Sequence, residues 1–532
     1  MIILNNKYYI IMSTIMSTIM SNIMTLGYLI NISCYKLYSF CIYIKYFFYF
    51  NLFLSSLSLT LVSYKITGKN NHKLAYCLYY SIRINGCMLI KFVQWIATNF
   101  NSLSIYNDSY IIELFSQFYE NCSIHNLNYT KKIFKQEFGY EFDDIFIIDH
   151  SFSVKSGSIA QVYKASFKLN DSSSNLLNNN NNNNNNNYNT QAFTDKIAIK
   201  VVHPEVEYQM VFPILLFKLY KFMVTNIGFL KKYNTPFNFD SFFDNLKCQI
   251  DMKNEIKNMN YFYNYYSDNP FIVIPKPIIS SKNCLIMEYV DGTPLEKMDI
   301  SEFEKQKIFT LLCLFVKDNY MFLDYYHSDL HDSNWKVCLY NNFYQLVIYD
   351  FGYIIKKQTD ELYKNLSYYI DNDMYLETGK LLYPFLKNST ISKENFSNLY
   401  FNYITNNIVL NTDVERFKLT YKFCYDNNYI FDNYLLELFV SLILLAEKME
   451  YYFSSKNNMT DPTVKYNCIL QKNIHFYNFC EKYEIFNNVM DYIKNYYIDN
   501  PVINSKYRCS NLMLDKISYS GSGSEDEIGI DI

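Results

Sequence analysis

Four separated segments carry residue types that together could handle a polyphosphate. Ile197-Ala198-Ile199-Lys200 sets an ammonium within an apolar, strand-like run, and Glu255 falls in a helical segment that could bring a carboxylate to it. His327-x-Asp329-x-x-x-x-Asn334 follows a long helix, and Asp350-Phe351-Gly352 comes 21 residues after Asp329. Phosphoryl transfer asks for a Lys on the phosphates, acid or amide oxygens on Mg²⁺, and a carboxylate near the acceptor hydroxyl. These parts occur in the order of a V-A-I-K strand, a helix Glu, a catalytic loop and a metal-binding Asp. An Asp-Phe-Gly tripeptide alone means little; four parts in order on fitting elements argue against coincidence. The rival chemistry is a hydrolase metal site on His327, Asp329 and His331 at i, i+2, i+4. It leaves Lys200, Glu255 and Asp350 without work.

The elements that must position these residues can be sketched from patterning. Ile145 to Ile148, Ile159 to Phe167, Lys196 to Val202 and Cys284 to Val290 are expected strands, with Lys155 to Ser158 a turn. Between the second and third strands lie residues 170–195, with ten consecutive Asn from Asn178 to Asn187. Such a tract cannot bury enough apolar area to offset its ordering entropy. As an inserted hairpin connection it costs little, since doubling a loop adds about 0.6 kcal/mol. Ser301 and Glu304 form a capping box for a long helix through Ile308, Leu312 and Phe315. Residues 80 to 103 have helical spacing in Met88, Leu89, Phe92, Val93, Ile96 and Phe100, which sets Lys91 and Gln94 on one side. Tyr344 to Tyr349 is a strand delivering Asp350, residues 360 to 510 are mostly helical, and the Gly/Ser-rich acidic tail is disordered. His203, Cys248, Cys284 and Cys313 are read as structural.

Composition bounds the rest. The 532 residues hold 48 basic against 51 acidic side chains, so no overall basic field points to nucleic acid. Aromatics reach 19%, almost all Tyr and Phe, a bias that fits an AT-rich genome better than a stacking platform. The 13 Cys include no C-x-x-C pair, which argues for reduced thiols and against a zinc site. No Asp or Glu precedes Asp108, while eight Lys and Arg do, leaving 40 basic against 51 acidic residues beyond. A carboxylate-free, sparsely basic N-terminus suits an organellar presequence or a segment beside anionic lipid. Uncharged Tyr46 to Tyr64 is just long enough to cross a bilayer. Tyr8 to Tyr35 holds a tetrapeptide repeat beginning Ile11-Met12-Ser13-Thr14, with low-complexity sequence or a cleaved secretory signal as alternatives to an import segment.

The motifs resemble the UbiB/ADCK family of aarF-domain atypical kinases. Lys91-Phe92-Val93-Gln94 is similar to the family's K-x-G-Q helix, Ser158-Ile159-Ala160-Gln161-Val162 to its I-A-Q-V run, and His327 to Asn334 to its H-x-D-x-H-P-G-N loop. Ile250 to Asn258 resembles L-D-x-x-x-E-A-x-N. Val93 stands where the family has Gly, a single Gly157 where many members have alanines, and Asp332-Ser333 where they have Pro-Gly. The resemblance implies a two-lobed, protein-kinase-like α+β fold. Its parts would be a targeting and membrane segment (1–79), a helical extension (80–143), an N-lobe (144–292) with the 170–195 insertion, a helical C-lobe (293–515) and a tail (516–532). It implies ATP and Mg²⁺ as cofactors. Lys200 would contact the phosphates, held by Glu255; Asp350 and Asn334 would hold the metal; Asp329 would be base or water-orienting group. Gly157, Ser158 and Gln161 would line the nucleotide, adenine would meet the backbone around Glu288 to Val290, and Lys91 and Gln94 would fold over the site. The implied role is an atypical kinase or ATPase supporting ubiquinone synthesis or lipid balance at the mitochondrial inner membrane. Its implied partners are ATP or ADP, quinone-precursor lipids, anionic membrane and coenzyme Q biosynthetic proteins. A catalytically silent lipid- or protein-binding scaffold is the alternative.

Overall fold

In the computed structural model, residues 36–68, 71–93, 196–227 and most of 110–168 and 239–452 are described. The tetrapeptide repeat, Gln94, the Asn-rich insertion and the acidic tail lie outside the described residues. Two compact units divide the chain: residues 1–90 with 205–216, and 91–204 with 217–532.

In the first unit, α1 (Lys36–Thr67) is long and apolar enough to cross a membrane by length and composition. Ile42, Tyr46, Phe50 and Phe53, spaced four, four and three apart, form its buried stripe, while Phe48, Leu59 and Ile66 are exposed. It packs on α2 (His72–Asn85) through a buried Ser56–Ser81 hydroxyl pair at 2.8 Å and an Asn85 amide that donates to the Tyr49 carbonyl at 2.8 Å. The continuous helix expected from residue 80 does not form. Gly86 breaks it at φ +91°, a conformation that favours glycine, and the Gln209 side chain occupies the space a Cβ would need. The Gln209 Oε1 then accepts the Cys87 N–H at 2.7 Å, opening a new helical turn at 87–93.

In the second unit, α3 (Leu127–Phe138) precedes a sheet built from β1 (Phe146–Ile148), β2 (Lys155–Ser156), β3 (Ala160–Phe167), β4 (Ile197–Val202), β6 (Pro277–Ser280) and β7 (Cys284–Glu288). The order is β1-β3-β4-β7-β6, with β2 beside β3, so the expected turn at Lys155 to Ser158 is a strand entering a tight hairpin. All ladders in it are antiparallel. The strands on either side of the Asn-rich insertion pair directly, Ala165 opposite Ile197 and Val162 opposite Lys200. Side chains alternate across a strand. Tyr163, Ile199, Val201 and Ile286 therefore share one face, which forms a core with Phe134, Phe142 and Phe146 under α3. Lys200, Val162 and Leu285 share the other.

That second face meets one helix of the same unit. α4 (Val211–Asn226) and α5 (Phe239–Gln249) lead into α6 (Met252–Tyr266), which packs on β6 and β7. β5 (Ile272–Val273) runs parallel to β10 (Phe343–Ile348), itself paired with β9 (Trp335–Tyr340), while β8 (Tyr325–His327) pairs with β11 (Ile354–Lys356). α7 (Glu302–Met321) starts where the Ser301 hydroxyl accepts the Glu304 N–H. Helices α8 (Tyr375–Leu382), α9 (Lys393–Asn407) and α10 (Asp413–Asp426) follow.

Candidate functional site

The site is built on α6. Asp251 caps the helix by accepting the Lys253 N–H at 3.0 Å, and the Met252 N–H ties it to the Lys282 carbonyl at 2.9 Å. One turn on, Glu255 meets the ammonium that β4 aims at this face: its Oε1 lies 2.6 Å from Lys200 Nζ. Asp350 Oδ1 is 3.0 Å from the same nitrogen. The positions Glu255, Asn258 and Phe262 are i, i+3 and i+7, so all lie on one side of the helix. The Asn258 amide donates to the Phe351 carbonyl at 2.9 Å, and Phe262 packs on the buried Phe351 ring with centroids 5.2 Å apart. The same helix thus grips the Lys and the Asp-Phe-Gly segment. Asp350 itself sits in the left-handed region at φ +55°, which the short polar Asp side chain tolerates better than most.

The loop after β8 is fastened to Asp350 through His327. Its Nε2 is 2.9 Å from the Asp350 carbonyl, which can only accept, and its Nδ1 takes the Asp329 N–H at 3.3 Å. The ring is therefore neutral with its proton on Nε2, and burial holds its pKa down. Both nitrogens are spent on backbone, so the hydrolase metal reading loses a ligand. Among the described residues no three His, Cys, Asp or Glu side chains converge as a metal cluster. Asn334 closes the loop, its Nδ2 donating to the Asp329 carbonyl at 2.7 Å, which leaves its Oδ1 as the oxygen open to a cation. Asp329 Oδ2 lies 3.1 Å from Lys91 Nζ.

Three carboxylates face two ammoniums. Burial raises Asp350, but Lys200 and Lys91 outweigh it and hold the carboxyl well below the ordinary range. Burial likewise opposes the depression of Asp329, which Lys91 and then His331 bring about. Lys200 is raised despite its burial by Asp350 and Glu255 and stays charged. Glu255 is the group driven toward protonation: burial, with Asp350 adding to it, pushes it up to about 7 against the pull of Lys200. The hard oxygens of Asp350 and Asn334 fit a magnesium ion.

Lys200, Glu255, Asp350, Asp329, Asn334 and Lys91 are thus brought together. Gln161 is not. It precedes Val162, the partner of Lys200, and so points to the opposite face, fully buried, with its Oε1 on the His125 N–H at 2.8 Å. The Glu288 side chain also turns away and takes the Lys276 N–H at 3.1 Å, leaving backbone alone for a base. The Val290 carbonyl accepts the Tyr349 hydroxyl at 2.9 Å. Gly157 and Ser158 form the β2–β3 turn. Sequence reasoning gave Asn258 and Phe262 no role, although the D-x-x-x-E-x-x-N spacing already marks Asp251, Glu255 and Asn258.

Residues 190–375 match the family model described as ABC1 atypical kinase-like domain. A mitochondrial ABC1 family protein of Schizosaccharomyces pombe is 24% identical over 297 residues, 53% of this chain and 41% of the relative. AarF domain-containing protein kinase 1 of Xenopus laevis is 23% identical over 208 residues, 38% of this chain and 35% of the relative. The chain spans about two fifths or less of the length of these relatives. The structure of Rv3197 from Mycobacterium tuberculosis with erythromycin overlaps 59% of this chain and 71% of that one, with a TM-score of 0.35 and 17% identity. The chain carries an ABC1 atypical kinase-like domain.

Proposed function

We propose that the protein binds ATP with Mg²⁺ and acts as an atypical kinase or ATPase. The observation that carries this reading is Lys200 held between Glu255 and Asp350 at 2.6 and 3.0 Å, on a segment whose backbone His327 links to the Asp329 loop. Lys200 would bind the α- and β-phosphates, and Glu255 would fix its direction. Asp350 and Asn334 would hold the magnesium ion, which when bound supplies positive charge to the polyphosphate oxygens. Asp329 would orient the attacking hydroxyl or water. Its pairing with Lys91 at 3.1 Å keeps that carboxylate engaged at rest, which favours slow or restricted turnover over bulk protein phosphorylation.

The setting we infer is mitochondrial and membrane-associated, in support of ubiquinone synthesis or lipid balance. It is supported by the acid-free N-terminus, by the length and composition of α1, and by the mitochondrial name of the fission-yeast relative. Thermal melting of the full chain tests the site: MgATP or MgADP should raise the midpoint, and Asp350→Asn should abolish the rise. Stabilisation by quinone-precursor lipids with none by either nucleotide would replace the enzyme with a silent scaffold.

A further inference from the structure

On the face of the sheet opposite Lys200, side chains from four segments form one hydrogen-bonded chain ending on the hairpin turn. His203 Nε2 lies 3.0 Å from the Gly157 carbonyl, with the Ser156 hydroxyl at 3.3 Å. The His203 and His125 Nδ1 atoms are 2.9 Å apart, His125 Nε2 is 2.9 Å from the Thr130 hydroxyl, and Thr130 is 3.0 Å from Tyr163 OH. The Tyr163 hydroxyl in turn accepts a hydrogen bond from the Gln161 amide, whose orientation is set by its Oε1 on the His125 backbone N–H. The protons on this chain can be ordered. A carbonyl only accepts, so His203 Nε2 donates. In a neutral ring its Nδ1 then accepts, so His125 Nδ1 donates and its Nε2 takes the Thr130 proton. Tyr163 then donates to Thr130, and every group is satisfied. Both imidazoles are kept neutral by burial, His125 down to about 3 with His203 adding to the effect.

The peptide bonds here are trans, so the Ser158 N–H points opposite to the Gly157 C=O. With the carbonyl drawn to the His203 side, that N–H is turned toward the face that carries Lys200, and it has no hydrogen-bond partner among the described residues. We infer that His203, held by His125, is a positioning residue that presents the Ser158 N–H to the phosphates of a bound nucleotide. This rests on the nucleotide reading of the site and replaces the structural role expected for His203.

The test compares affinities of the full chain for MgATP and for adenosine, which lacks phosphates. His203→Phe keeps the ring volume and removes the donor; it should weaken MgATP about tenfold and adenosine less than threefold. His203→Gln, whose Nε2 still reaches Gly157, should keep the ATP-to-adenosine ratio within threefold of the unaltered protein. If the Phe variant does not fold, His203→Asn, whose amide is too short for that carbonyl, should show the same loss of ratio. An unchanged ratio in the variants lacking the donor, or equal losses for both ligands, overturns the inference while leaving the nucleotide site standing. An unaltered chain that binds neither ligand overturns both.

Discussion

Replacing Lys200 by Met is the most informative single perturbation. The Lys200 and Glu255 side chains are 10% and 3% exposed, so the pair is a buried one, whereas Asp350 at 43% can turn to water once its partner is gone. Removing one member of a buried ion pair costs about 3–5 kcal/mol, because the other charge is left uncompensated. Glu255 has an escape, since burial already lifts its pKa to about 7 and the ammonium that opposes the lift would be absent. A carboxylate whose folded pKa is raised binds more protons in the native state, so stability falls as pH rises between the unfolded and folded values. The unaltered chain shares the part of this loss below about pH 7, so the deficit of Lys200→Met should be largest near pH 8, shrink by up to about 1.4 kcal/mol per pH unit down to about pH 7, and be flat below that. In the double variant Lys200→Met, Glu255→Leu, most of the stability should return while nucleotide binding stays lost. Urea denaturation from pH 5.5 to 8 reads all three proteins. A deficit below about 1 kcal/mol at pH 8, or one independent of pH, would refute the reasoning, as would a double variant no more stable than the single one.

Other outcomes follow from the same geometry. Glu255→Gln should remove the loss of stability that the unaltered chain shows between about pH 4.5 and 7, a difference profile that calorimetry at stepped pH resolves. Lys91→Ala takes an ammonium from Asp329 and raises its pKa, so the acid limb of the ATP-turnover profile should move to higher pH; an unmoved limb would mean that Asp329 does not set it. Gly86→Ala forces a positive-φ alanine into the Gln209 side chain and should cost about 1–3 kcal/mol in denaturant titrations. Gly157→Ala should be nearly neutral in the same assay, because φ there is not positive and the nearest atom would be 3.6 Å away.

Much of the site was legible because it is written in short motifs on regular elements. β3 and β4 showed as short strand-like runs, and the order of Lys200, Glu255, Asp329 and Asp350 already stated which parts must meet. What escaped notice depended on register and on distant partners. Gln161 and Val162 are neighbours in sequence, yet a single step along a strand changes the face, and only the Val162–Lys200 pairing fixes which of the two sees the ammonium. The apolar 3–4 spacing runs straight across Gly86; the break there depends on Gln209, 123 positions away. His125 and His203, separated by 78 residues, match no motif and become a pair only when α3 lies under the sheet.

The join between β3 and β4 has a consequence for variation. Ala165 opposes Ile197 directly, and β4 is further aligned by β7, so the register is set by side chains on both flanks and owes nothing to the polyasparagine connector. Tracts of this kind gain and lose units readily during DNA replication. Alleles of different tract length should therefore share the same melting behaviour, freeing the connector to drift as a neutral polymorphism.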